Sequence, residues 1–286
     1  MTGAPLPAHL NPKKYEMDED GLPREIVGEW AWEKHARLQK YVGISSGVRQ
    51  KFLGPRDAGA TYIELFCGPG RCRVARTSKI VDGSPLVAWN ESVTRKTAFR
   101  QVHIADFDAA LVGAAEARLQ RLGAPIFAEV GSASATVDKV ISKLNRYGLH
   151  LAFLDPYNLE ALPFEVIRKL AAIKHMDILV HISGQDLQRN LRTYVQKKGS
   201  PLDTFAPGWR DNIDTRRRGF DVRSAILDHW RKLVRAEGMR TAETFEKVRG
   251  PNKQPLYWLA FAARHDRAHE FWNKIKDISG EAQLPF

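Results

Sequence analysis

The sequence predicts an α/β protein built on a doubly wound, mostly parallel, Rossmann-like seven-stranded sheet with a C-terminal antiparallel hairpin. Three observations predict it. Short apolar runs of strand length alternate with amphipathic helical stretches from about residue 61 onward. A glycine turn follows the first of those runs directly. The last third departs from the alternation, with one long helix and then two strand-like runs around a turn signal.

The strands read in order as Thr61–Phe66, Gln101–Ala105, Ile126–Val130, Leu151–Leu154 and Ile178–Ile182. Each is a short apolar run of the kind buried on both faces of a parallel sheet. Between them, Asp108–Leu122 places Leu111, Ala115, Leu119 and Leu122 on one helical face, with Gly123 as a stop. Ala133–Tyr147 does the same with Val137, Val140, Ile141 and Leu144, and Gly148 closes it. Pro163 suits the first position of a third helix. Upstream, Glu25–Val42 carries Ile26, Trp30, Leu38, Tyr41 and Val42 on roughly helical spacing. Downstream, Asp221–Glu237 is an amphipathic helix, followed by strands at Thr244–Val248 and Leu256–Ala262 around Gly250-Pro251-Asn252. Five parallel strands, a helix and a hairpin follow the class I methyltransferase order; a dinucleotide-binding dehydrogenase would add a sixth parallel strand instead. The expected organisation is an extended segment over 1–24 and a single domain over 25–286. That domain carries a cleft-side insert at 71–83 and a basic helical insert at 187–240.

Composition narrows the setting. A chain of 286 residues, 43% hydrophobic and 27% charged, is ordinary for a globular domain. It has no apolar run near the ~20 residues a membrane span needs, and no apolar signal core at its start, so the cytoplasm is the expected compartment and a membrane is not an expected partner. Its two cysteines, Cys67 and Cys72, exclude a disulfide framework and read as small buried thiols, since a lone C-x4-C lacks the other ligands zinc requires. The formal charge is +11, and between Leu187 and Lys253 there are 16 Lys/Arg against 8 Asp/Glu. Such a field suits a polyanion, nucleic acid first, although a basic surface can also be merely solvated.

Three stretches carry the chemistry. In Tyr62-Ile63-Glu64-Leu65-Phe66-Cys67-Gly68-Pro69-Gly70 a strand runs into a Gly-Pro-Gly turn at the edge where open α/β sheets bind ligands. Gly68 and Gly70 let backbone approach a nucleotide-like ligand, and Glu64 is placed to take the amino end of a cofactor. A tight turn without a ligand would use the same residues. Asp106, after the second strand, is placed to hold an adenosine ribose, and Asp108 to cap the following helix. Phe66 and Phe107 are counted with the cofactor set. Asp155-Pro156-Tyr157-Asn158 follows the fourth strand and is similar to the Asp-Pro-Pro-Tyr of amino-group methyltransferases, one proline short. Asp155 and Tyr157 are therefore the candidate catalytic pair, facing the acceptor; a rigid turn alone would explain Pro156. His181 alternates into the sheet and reads as a core histidine. Arg71 and Arg73 lie in the 71–83 insert, where an arginine-bearing hairpin would cover the cleft and either meet phosphate or stay solvated. Ser84 reads as an N-cap with Pro85 first in its helix. Arg216, Arg217 and Arg218 form a second basic run, also counted as a phosphate or nucleic-acid site.

Taken together, YIELFCGPGRCRV, IVDGSPLVA, HIADFD, FLDPYNLEALPFEVI, DILVHISGQDLQRN and LYWLAFAARHDRAHEFWNKI, in that order from about residue 61 to 276, resemble the three-Cys-motif partner (TcmP) family. The resemblance implies a methyltransferase-like Rossmann fold. It also implies association with a three-Cys-motif protein that looks like an iron–sulfur or radical-SAM enzyme, the three cysteines belonging to that partner. The expected function is an S-adenosylmethionine-dependent methyltransferase on a nucleic acid or nucleotide. The alternative is a non-catalytic docking subunit that keeps the fold. A nicotinamide-dependent oxidoreductase is disfavoured by the terminal hairpin.

Overall fold

The computed structural model describes residues 5–28, 31–216, 218–242, 246–249 and 255–276. Its centre is the expected sheet. β3 (Ala60–Glu64), β6 (Gln101–Asp106), β7 (Ile126–Val130), β8 (Leu149–Leu154) and β9 (Met176–Ser183) are parallel and lie in the order β7-β6-β3-β8-β9. β12 (Pro255–Ala263) runs antiparallel beside β9, and β11 (Glu246–Arg249) pairs with it to form the C-terminal hairpin. An eighth, two-residue strand, β10 (Arg240–Thr241), pairs with Thr241 opposite Ala262, at the other end of β12. The start of the expected strand at Thr244 and the turn at Gly250-Pro251-Asn252 lie outside the described residues.

Helices cover both faces. On one side α5 (Ala133–Lys143), α6 (Phe164–Ala171) and α10 (Gly219–Ala236) bury Val137, Ile167, Ile226 and Trp230 against Ile63, Ala152 and Val180. On the other, α1 (Ala31–Ile44), α3 (Ser84–Thr94), α4 (Ala109–Arg121) and α11 (Asp266–Lys276) pack Leu38, Ala88, Leu119 and Trp272 against Tyr62, Ile104 and Phe153. Asp108 caps α4 as expected, its carboxylate accepting from the N–H groups of Ala110 and Leu111. Gly83, not Ser84, caps α3; Ser84 is its first residue and its hydroxyl is used elsewhere.

Two expectations change upstream of β3. The helix read over Glu25–Val42 begins only at Ala31, because Pro23–Val27 is strand β2; Ile26 and Val27 are β-branched and suit a pleated strand. Trp30 lies outside the described residues. Within the segment read as extended over 1–24, Tyr15–Met17 forms β1, antiparallel to β2. The insert at 71–83 is indeed a hairpin, β4 (Arg71–Val74) with β5 (Ile80–Asp82), and β2 pairs in parallel with β4, Glu25 opposite Cys72. A second, four-stranded sheet β1-β2-β4-β5 thus joins the N-terminal segment to the insert.

Arg118 fixes this small sheet to the large one. Its buried guanidinium donates to both carboxylate oxygens of Asp20 at 2.8 Å, to the carbonyl of Pro23 at 2.8 Å and to that of Pro69 at 2.6 Å. Buried Asp18 is shared by Arg24, Arg71 and Arg118 at 2.7, 3.0 and 3.3 Å. A planar fork with five donors suits such a junction; a lysine would not. Arg118→Met keeps the stem but removes the donors from buried acceptors, and should cost about 3–5 kcal/mol in equilibrium urea unfolding.

Candidate functional site

Parallel register assembles the site. Glu64 lies opposite Ile104 on β6 and Phe153 on β8. Asp106 and Asp155 each lie two residues further along their chains, so all three carboxylates stand on one face at one rim of the sheet. The turn that follows β3 needs its glycines. Gly68 has φ +54° and Gly70 φ +80°. A Cβ on Gly83 would sit 2.9 Å from the Gly70 carbonyl carbon, where Gly83 N–H donates to the Gly70 oxygen at 2.7 Å. That close approach folds the insert hairpin back over the rim.

The structure places the cofactor candidates differently from one another. Asp106 is buried and accepts from the Gly68 N–H at 3.0 Å and the Asp108 N–H at 3.2 Å; burial raises its carboxyl above the ordinary value against those bonds. Phe107, next to it, is 81% exposed, an unusual position for a phenyl ring. Phe66 and both glycines line a cavity of about 190 Å³. Glu64 does not reach that cavity. It is wholly enclosed, accepting from the Tyr62 hydroxyl at 2.7 Å and from the Ser84 hydroxyl, and burial pushes its pKa up to about 8. Glu64 thus supports Ser84 and the start of α3 from behind the cavity wall.

Asp155 and Tyr157 line the cavity, and both are engaged. Asp155 bonds the Lys34 ammonium, and its other oxygen lies 3.2 Å from His181 Nδ1. Burial opposes both charges of the pair, yet mutual attraction holds Asp155 below and Lys34 above their ordinary values. Burial brings His181 down to about 4 and His35, beside Lys34, to about 3, so both imidazoles are neutral at pH 7. The Tyr157 hydroxyl meets that of Tyr15 at 2.7 Å, and Lys14 Nζ lies 5.5 Å from the Tyr157 ring centroid. Burial raises both phenols, Tyr15 to about 12. Cys67 and Cys72 also line the cavity, their thiols raised by burial and therefore protonated.

The arginine candidates stand apart. Arg71 pairs with Asp18, and Arg73 with both oxygens of Glu16 at 2.6 and 2.8 Å, so these two cations are neutralised by acidic residues of the N-terminal segment. Arg216 is exposed and pairs with its neighbour Asp214 at 3.0 Å, Arg218 precedes α10, and Arg217 lies outside the described residues.

Sequence reasoning missed Glu25, Lys34 and His35 and set His181 aside. His181 had a usable signal. Leu154 pairs with Val180, so Asp155 and His181 are the next residues of adjacent parallel strands. Lys34 and Glu25 had none, since neither lies in a motif and Glu25 fell in a misread helix.

The strand order, with its antiparallel hairpin at one edge, defines the class I methyltransferase-type fold. No family model matches the chain, and no curated protein matches it in sequence. In structure it is similar to LPL1258 from Legionella pneumophila, described by family-model DUF519. The TM-score is 0.50 with 10% identity, covering 85% of this chain and 91% of that one. Slighter likenesses include an O-methyltransferase from Bacillus cereus in complex with SAH (TM-score 0.43, 10% identity, 79% and 80% covered). Another is the methyltransferase domain of bacterial CtHen1 (TM-score 0.41, 15% identity, 81% and 98% covered). Among the described residues no helix is long and apolar enough to cross a membrane.

The raised Glu64 has a measurable sign. In the folded protein it keeps its proton up to about pH 8, whereas the unfolded chain loses it near 4.5. Stability from this group is therefore full below pH 4.5 and falls as pH rises, levelling above 8, by up to about 1.4 kcal/mol per pH unit. Glu25 contributes a similar slope only to about pH 7. Urea titrations of Glu64→Gln should lose the decline between pH 7 and 8.

Proposed function

We propose that this chain binds S-adenosylmethionine and transfers its methyl group to a nucleic acid or nucleotide. The observation that carries the reading is Phe107, bare to solvent beside an Asp106 carboxylate locked to the Gly68 turn. An adenine ring would cover that phenyl face, and the ribose hydroxyls would reach the remaining lone pairs of Asp106. The donor set fits the cofactor: a backbone cradle without side chains at Gly68 and Gly70, a carboxylate and an aromatic face. When bound, the cofactor supplies an electrophilic methyl group on a sulfonium. The protein's part is to position and exclude water. Tyr157, half exposed at the mouth, offers a face on which an acceptor base stacks. Asp155, held between Lys34 and His181, fixes the floor on which the acceptor's polar edge rests.

Membership of the TcmP family, and with it a three-Cys-motif partner, belongs to the same proposal and rests on the six motif stretches. Residency in the cytoplasm does too. The basic helical stretch α7 (Gly184–Gln196) to α10 is the surface we assign to the nucleic acid.

A second reading, a docking subunit without catalysis, is favoured by one observation. The carboxylate that would accept a substrate amine is already bonded to Lys34. Asp155→Asn separates the two. Under the catalytic reading, methyl transfer from labelled S-adenosylmethionine to host RNA or DNA falls by a hundredfold or more while cofactor affinity stays within threefold, a loss on the scale of a positioned catalytic group. Unchanged transfer, or none in the unmodified protein, would favour docking.

Calorimetry tests the cofactor itself. Phe107→Ala should leave unfolding stability within about 0.5 kcal/mol, as for exposed sites. It should weaken S-adenosylhomocysteine binding by about 1–3 kcal/mol, the scale of base–aromatic stacking. No heat from S-adenosylmethionine or S-adenosylhomocysteine with the unmodified protein removes the reading.

A further inference from the structure

The charged groups in and around the cavity are nearly all matched. Lys34 has Asp155, and Asp106 has two backbone N–H groups. Glu25 is the exception. It projects from β2 into the cavity, with no hydrogen-bond or ion-pair partner among the described residues. One of its carboxylate oxygens lies 3.8 Å from where a Cβ on Gly68 would be, so it overhangs the bare backbone of the glycine turn.

We infer that Glu25 is the counter-ion for the cationic amino-acid end of the cofactor, supplied by the N-terminal strand rather than by the sheet. The inference rests on the S-adenosylmethionine reading and deepens it. Glu64, which sequence order offered for this task, is sealed behind Tyr62 and Ser84. A ligand with its adenine on Phe107 that crosses the Gly68–Gly70 turn into the cavity would bring its far end toward Glu25, which overhangs Gly68. An ammonium there meets an open carboxylate, and a charge-assisted bond of that kind is strong. β2 is tied to β4 and, through Arg118, to α4, so the strand that carries the carboxylate is fixed beside the turn.

The charge state reinforces the geometry. Burial raises Glu25 to about 7, with Lys34 opposing and Asp155 and Asp106 adding to the rise; Lys14 also opposes it. Tyr15, Cys72 and Tyr157, all protonated, complete its surroundings. A bound ammonium would draw the proton off. Binding near pH 7 should therefore release about half a proton.

The test is calorimetry of the full chain with S-adenosylhomocysteine, which has the ammonium, and 5′-methylthioadenosine, which lacks the amino-acid end. It is run in two buffers of different ionisation enthalpy. In Glu25→Gln, S-adenosylhomocysteine should bind roughly 10- to 100-fold more weakly, as for loss of a charged hydrogen bond. Methylthioadenosine should be unaffected, and proton release should vanish. Glu25→Asp, which keeps the charge on a shorter arm, should restore proton release and part of the affinity. Should Glu25→Gln change both ligands alike, or neither, the assignment is overturned while the cofactor reading stands. Should the unmodified protein bind neither ligand, the cofactor reading falls and this assignment with it.

Discussion

The groups of this cleft owe their proximity to one constraint, the parallel register of β3, β6 and β8. Parallel strands must all end at the same edge, and a fixed register decides which side chains share a face there. Glu64, Asp106 and Asp155 lie far apart in sequence and become neighbours only through that pairing. Three carboxylates at one rim would repel and lose hydration together. The fold answers each separately, with hydroxyls for Glu64, backbone N–H groups for Asp106 and an ammonium for Asp155.

Those three solutions differ in what they leave open. Hydroxyls and a buried setting keep Glu64 protonated near neutrality and inert toward the cavity. The ion pair at Asp155 brings a lysine from α1 across to the sheet, so the position of α1 and the acceptor floor are one problem. The arginines near the cleft follow the same logic. Arg24, Arg71, Arg73 and Arg118 serve Glu16, Asp18 and Asp20, and so much of the positive charge around the glycine turn is internal glue. A net charge of +11 therefore says more about the far surface than about the cleft.

The sheet was legible in the sequence because its strands are short, apolar and punctuated by helix stops such as Gly123. The cap at Asp108 was legible because a side chain does the capping, and the one at Gly83 was not, because backbone geometry decides there. What the sequence hid are contacts across long separations. Ile26 fits a helical pattern when read with Leu38 and Tyr41, but β4 offers it a strand to pair with, and the ladder prevails over local period. Lys34 and Glu25 belong to no motif, since their roles come from where α1 and β2 end up. Likewise a glutamate ending a strand does not reveal that a tyrosine two residues back and a serine twenty residues on will enclose it.

The Arg118 junction has an implication for how the molecule comes to be. Asp20 precedes its partner by 98 positions, and Tyr15 precedes Tyr157 by 142. During synthesis β1 and β2 can pair with β4 once it has emerged, but their ties to α4 and to the stretch after β8 form only when those have been made. The ligand hollow is therefore walled by segments made far apart in time, from Glu25 to Tyr257.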